Sequence, residues 1–251
     1  MAKQRSVRYA WLRIKEDVQD KIDEGAFLPG DRIPTLAVLA KRHGVTTTTV
    51  RQAINELASD GILQVRHGRG TIVAPPKRDY DPMKGFAEQA HRLGGQPRTE
   101  IYQTQWLAPH GETIRALGLR RNQTVWDVSR ILYLDDEPVM LEVTEFPRKI
   151  AGRFMGETRK LLDLFATLRE EFGDKKWHIE VNSVRLTRER TFSDILGIGR
   201  RTIFYRIERV VAVDGKPLLV SFLILRSDRF QLRFCVDGNG ASTSQYQAAE
   251  S

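Results

Sequence analysis

Four landmarks in the second half of the chain recur at one fixed spacing, and that spacing constrains the fold more than any single motif does. Leu117-Gly118-Leu119 is echoed by Leu196-Gly197-Ile198. Arg130, Asp135 and Pro138 are matched by Arg209, Asp214 and Pro217, and every pair is 79 residues apart. A shared offset without a gap reads as an internal duplication. Each copy runs helix end, strand, acidic turn, strand. The strands are expected over residues 125–134 with 139–146, and over 203–213 with 218–225. Asp135-Asp136 and Asp214-Gly215 supply the hairpin turns. Leu161, Leu164, Phe165 and Leu168 recur at helical spacing, which predicts one helix over residues 158–172 between the copies. This part of the chain is therefore expected to be α+β, two similar halves around antiparallel strands.

The run Ala74-Pro75-Pro76-Lys77-Arg78-Asp79-Tyr80-Asp81-Pro82 reads as a stiff polar linker. The expected organisation is a first domain over 1–74, a linker over 75–84, a second domain over 85–236 and a loose polar tail over 237–251. The 251 residues, 41% of them hydrophobic, suffice for a core in each domain. A net charge of +8 favours a polyanionic partner. The lone cysteine, Cys235, can close no intramolecular disulfide and build no cysteine metal site. Residues 1–21 mix cations with acids and lack the apolar stretch of a signal peptide. No run approaches a membrane span. A cytoplasmic protein with no membrane contact is expected.

Within the first domain, Trp11, Ile14, Val18 and Ile22 recur at steps of three and four and form one face of an amphipathic helix, with Gly25 as its stop. Pro34-Thr35 opens a short second helix that Gly44 ends. Thr46 can cap a third, with Val45 and Val50 at hydrophobic-staple spacing and Val50, Ala53, Ile54 and Leu57 inward. Two short strands follow, around the turn Arg66-His67-Gly68-Arg69-Gly70. Three helices and a small Gly/Arg hairpin make a winged helix-turn-helix. A major groove admits one helix, whose first turn presents backbone N–H groups and short polar side chains. Thr46, Thr47, Thr48 and Thr49 lie there, and Arg51 and Gln52 follow one turn on. Arg32 and Thr35 flank the second helix. Arg66, His67, Gly68 and Arg69 form a wing suited to phosphate or the minor groove.

These residues carry a resemblance. Leu28-Pro29-Gly30-Asp31-Arg32-Ile33-Pro34-Thr35, Leu39-Ala40, Gly44-Val45, Thr49-Val50-Arg51-Gln52-Ala53, Leu57, Gly61-Ile62-Leu63 and Gly68-Arg69-Gly70-Thr71 resemble the N-terminal signature of GntR-type regulators. Arg130, Asp135 to Pro138, Leu196-Gly197, Arg209 and Arg226-Ser227-Asp228-Arg229-Phe230 resemble the UTRA effector domain of the HutC subfamily. The resemblance implies a chorismate-lyase-like second domain. It also implies a homodimer, usually a repressor, that binds double-stranded DNA at an inverted repeat and responds to a small-molecule effector. Two positions depart from the family pattern. Thr35-Leu36-Ala37 stands where Ser-Glu-Arg is usual, and Thr47 stands where an arginine opens the recognition helix. The operator is therefore expected to differ from the common one.

The resemblance places effector contacts at Gly85, Phe86, Ala87, Arg130, Leu132, Asp163, Phe165, Leu219 and Leu225. Most matching positions in phosphosugar-binding members are polar. Burying sugar hydroxyls without partners is costly, so an apolar or aromatic effector with one anionic group is expected. The alternative is that Arg130 is structural, paired with Asp163, and the pocket vestigial in a constitutive DNA-binding regulator. Glu142 and Glu145 are expected on a solvated strand face. No metal-ligand spacing, nucleotide fingerprint or nucleophile elbow is present, so neither cofactor nor catalysis is expected. A small lyase-like enzyme is the remote alternative.

Overall fold

In the computed structural model of the protein, residues 2–66, 70–173, 175 and 177–234 are described. Helix α1 (Ala2–Asp23) presents Ile14 and Val18 to a core completed by α2 (Leu36–His43) and α3 (Thr47–Ser59). Both short helices start and stop as their sequences dictate. The Thr35 hydroxyl accepts from Val38 N at 3.4 Å, the Thr46 hydroxyl accepts from Thr49 N at 3.3 Å, and Gly44 ends α2 at φ 63°. Strands β1 (Leu63–Arg66) and β2 (Gly70–Val73) pair antiparallel, and Arg32 bridges to Ile72 beside them. This is the expected winged head. His67, Gly68 and Arg69 at the wing tip lie outside the described residues, as do Cys235 and the tail expected over 237–251.

The second domain bears out the duplication. After β3 (Arg78–Tyr80) come α4 (Phe86–Arg92), β4 (Pro97–Leu107), α5 (Gly111–Leu117), β5 (Val125–Leu134) and β6 (Glu137–Pro147). Then follow α6 (Arg148–Ala151), α7 (Thr158–Leu162), α8 (Leu164–Phe172), β7 (Trp177–Thr187), α9 (Arg190–Ile195), β8 (Phe204–Val213), β9 (Lys216–Arg226) and β10 (Phe230–Leu232). Strands β8 and β9 begin and end 79 residues after β5 and β6. The sheet order β4-β5-β6-β9-β8-β7 sets the two halves back to back at β6 and β9. Both hairpins turn through positive φ at their two central residues, Asp135 (53°) with Asp136 (62°) and Asp214 (49°) with Gly215 (73°), the type I′ geometry that matches strand twist. Among the described residues no helix is long and apolar enough to cross a membrane.

Two expectations need correction. The helix expected over 158–172 is broken at Asp163, which leaves helical dihedrals (φ −127°, ψ 84°) and caps α8 by accepting from Ala166 N at 3.0 Å. A short acid able to cap its own downstream amide favours that break over continued helix. The segment expected as linker is also less free than its prolines suggest. Only Pro75 and Pro76 are exposed; β3 pairs in parallel with β10, and Tyr80 is buried.

One approach between the head and the second domain is backbone against backbone. Gly61, two residues past α3, has φ +76°, and a Cβ there would lie 2.4 Å from the carbonyl oxygen of Asp228. The Asp228 carboxylate accepts from Arg226 Nη2 at 2.7 Å and from Arg229 Nη1 at 3.1 Å, and Glu137 accepts from Arg226 Nη1 at 2.8 Å. Gly61→Ala adds both a left-handed strain of about 1–2 kcal/mol and a clash with this anchored carbonyl. The expected outcome is a head released from its seat, read as faster proteolytic cutting after Pro76, with both domains still folded. Cutting at the wild-type rate would show that the contact does not hold the head.

Candidate DNA-binding and effector sites

The first turn of α3 divides its threonines between two tasks. Thr46 and Thr49 share a hydroxyl hydrogen bond at 3.1 Å and spend their side chains on the cap. Thr47, Thr48, Arg51 and Gln52 are exposed, and the α3 face opposite them is buried through Val50, Ala53, Ile54 and Leu57. Thr35 is exposed and caps α2, while Arg32 is exposed beside the wing strand β2. The ion pairs of the described head residues are Lys15–Asp60, Lys21–Asp17 and His43–Asp17, so neither Arg32 nor Arg51 is neutralised. The helix thus offers two threonine hydroxyls with their methyls, one amide and one guanidinium to a groove.

The candidate effector residues lie on the sheet face covered by α4, α7 and α8. Strand register puts Arg130, Glu142, Thr144, Ser221 and Arg209 in one polar belt across the middle of that face. Leu132, Leu225 and Phe86 pack in the apolar cluster on one side of the belt, and Phe165 and Leu219 in the cluster on the other. Gly85 touches Phe165, since a Cβ on it would stand 3.0 Å from the ring's own Cβ. Ala87 is half-buried in α4. Asp163 serves as the α8 cap and makes no pair with Arg130.

Glu142, expected on a solvated face, is instead the centre of the belt. It is 3% exposed and accepts from Arg130 Nη2 at 2.7 Å and from Arg209 Nη2 at 2.6 Å. Burial pushes its carboxyl pKa up, but the two guanidiniums outweigh that and hold it below the usual range. Arg130 Nη1 also donates to Leu161 O at 2.7 Å, a carbonyl freed by the helix break. Arg209 donates to Pro82 O at 3.0 Å and stacks 4.7 Å from the centre of the Phe165 ring. The triad carries two positive charges against one negative. The Nε–H of Arg130 and of Arg209 are both buried without a hydrogen-bond partner. A belt with surplus positive charge and unused donors suits an added anion.

Glu145, the other carboxylate expected in solvent, is also buried, on the opposite face of the sheet. It stands across from Asp127 in the β5–β6 register and hydrogen-bonds the His110 ring. Burial and the Glu145 charge push the Asp127 carboxyl up to about 6. The hydrogen bond to Glu145 raises the His110 pKa. The α5 and α9 layers cover this face, so the strand has no solvated side.

Residues 11–73 match the family described as bacterial regulatory proteins, gntR family, and residues 92–231 match the UTRA domain. The chain is similar to the uncharacterized HTH-type transcriptional regulator YurK of Bacillus subtilis, 30% identical over 139 residues, 55% of this chain and 57% of that protein. It is 26% identical over 144 residues to the HTH-type transcriptional repressor NagR of the same organism, 57% of this chain and 59% of that protein. The chain thus spans under three fifths of the length of these relatives. Among solved structures, PhnF from Mycobacterium smegmatis aligns with a TM-score of 0.52 at 25% identity, over 88% of this chain and 97% of that one.

Removing the exposed guanidinium of α3 by Arg51→Ala should weaken binding to a cognate duplex about tenfold or more, the ~1–3 kcal/mol of a base-edge contact. Fluorescence anisotropy at matched salt reads this, and unchanged affinity would remove α3 from the reading surface. On the far sheet face, a folded Asp127 pKa above the unfolded one means that the carboxyl favours folding below about pH 4 and loses that contribution as pH rises through 6. The raised His110 pKa works in the same direction. Asp127→Asn should therefore raise stability at pH 7.5 by about 1–2 kcal/mol and flatten the decline between pH 4.5 and 7.5. Urea midpoints across that range test it.

Proposed function

The chain belongs to the GntR family of DNA-binding transcriptional regulators, non-enzymes, with the UTRA domain of its HutC-type members, and we propose that it is a repressor released from its operator by a small anionic effector. The observation that carries this reading is the belt: a buried, net positive Arg130–Glu142–Arg209 triad with two unused N–H donors, set between two apolar clusters. The protein works as a homodimer in the cytoplasm, and the two α3 helices enter successive major grooves of an inverted repeat, about 34 Å apart.

The effector is an apolar or aromatic molecule with one acidic group. The acid competes with Glu142 for the guanidiniums, and Leu132, Phe165, Leu219 and Leu225 receive the body. Gly85, Phe86 and Ala87 at the start of α4, and Asp163 at the helix break, complete the proposed contacts. Strand β9 links this event to the head. It carries Leu219, Ser221 and Leu225 through the belt region and continues into Arg226 and Asp228, whose carbonyl abuts Gly61. An effector that binds the DNA-free arrangement more tightly shifts the population by that difference in affinity.

A second reading, a constitutive regulator with a vestigial pocket, is favoured by one observation: Glu142 already occupies both guanidiniums. One experiment separates the two. An operator is selected from a random duplex pool, and anisotropy is then followed against a panel of aromatic acids, amino acids and sugar phosphates. Under the effector reading, an aromatic acid weakens DNA binding at least tenfold, and Arg130→Ala abolishes that response while leaving DNA affinity intact. A DNA affinity that no compound moves would establish the constitutive reading.

A further inference from the structure

An open cleft of about 820 Å³ lies at the end of the sheet opposite the head, lined by the 117–124 loop, the end of β6, α6 and the β8–β9 hairpin. None of its lining residues belongs to the belt. Its floor is apolar, including the largely buried Phe172 and Leu218. Among the described residues, its rim holds four exposed cations, Arg148, Lys149, Lys175 and Lys216, and one carboxylate, Asp214. Lys175 Nζ hangs 6.0 Å from the centre of the Phe172 ring, which keeps one charge over an aromatic surface.

The duplication explains what this rim is. A shift of 79 residues carries Glu137 to Lys216 and Lys149 to Asp228, so the cleft is the repeat mate of the junction that seats the head. At the junction, Glu137 and Asp228 neutralise Arg226 and Arg229. At the cleft the two acids are replaced by lysines, and the mates of the two arginines are the uncharged Pro147 and Ile150. One end of the duplicated unit is electrically closed upon itself and meets the head at Gly61. The other is open and, among the described residues, has four cations facing one acid. A cavity of this size falls within the range of small-molecule sites, and converging like charges on low-dielectric walls concentrate anions.

We propose that this cleft binds a small organic anion with an aromatic body, its acid group drawn to Lys149 and Lys216 and its ring seated on Phe172 and Leu218. The site is independent of the belt and stands whether or not an effector enters there.

Isothermal titration of the full chain with 2-naphthoate and with the neutral 2-naphthamide tests the proposal. The expected result is saturable binding of the carboxylate, with the amide at least tenfold weaker. The double variant Lys149→Glu/Lys216→Glu should lose at least tenfold in naphthoate affinity. Arg188→Glu/Arg201→Glu, the same change of net charge on exposed residues away from the cleft, should lose less than twofold. Both pairs are solvent-exposed, and an unchanged unfolding temperature confirms that each variant folds. No binding of naphthoate at millimolar concentration, equal binding of the amide, or equal losses in the two double variants would each overturn the proposal.

Discussion

One carboxylate, that of Glu142, holds two guanidiniums at the place where the duplicated halves of the second domain meet. Arg130 and Arg209 are repeat mates, so symmetry brings two buried cations to the same level of the sheet. Their shared partner is not symmetric, because the mate of Glu142 is Ser221. A single acid between two bases leaves the belt with surplus positive charge in a low-dielectric interior. Buried ion networks of this kind add little net stability, since desolvation of each charge costs several kcal/mol. Their effect is to fix geometry: Arg130 ties β5 to the broken helix at Leu161, and Arg209 ties β8 to the chain arriving from the head at Pro82. The triad thus locks the covering layer to the sheet through polar contacts.

How much of this was legible in the sequence depended on whether local chemistry or long-range pairing decided the matter. The caps at Thr35, Thr46 and Gly44 and the turns at Asp135-Asp136 and Asp214-Gly215 follow from short-range preferences, and the structure has them where the residues require. The spacing of 79 residues carried the strand pairs, because each copy repeats the same strand and turn signals and the structure repeats the same hairpin. Glu142 was misread for a physical reason. Counted back from the turn, simple pairing sets it opposite Ser129, away from Arg130. A bulge between Leu132 and Tyr133 shifts the register by one residue and swings Glu142 to the face of Arg130. Nothing in the local sequence announces that bulge. Glu145 was misread because both faces of the sheet are covered, a property of the layers rather than of the strand. The helix break at Asp163 did leave a signal, an acid followed three residues later by a free amide, but the apolar spacing on either side outweighed it. Of the candidate DNA surface, Thr47, Thr48, Arg51 and Gln52 lie on the exposed face that the pattern predicts, whereas the part Thr49 takes in the Thr46 cap appears only once hydroxyl geometry is known.

The same duplication that builds the sheet also sets up its two ends for different tasks. Strands β6 and β9 are antiparallel neighbours of 11 residues each, long enough at about 3.3 Å per residue to connect the cleft, the belt and the junction in one span. At the junction end, acids and arginines neutralise each other, and Gly61 of the head meets the Asp228 backbone. Such a contact is sensitive to small displacements because no side chain can rotate to absorb them. The seat of the head lies just past the exit of the central strand whose middle faces the triad, so the proposed effector response requires no signalling element beyond that strand.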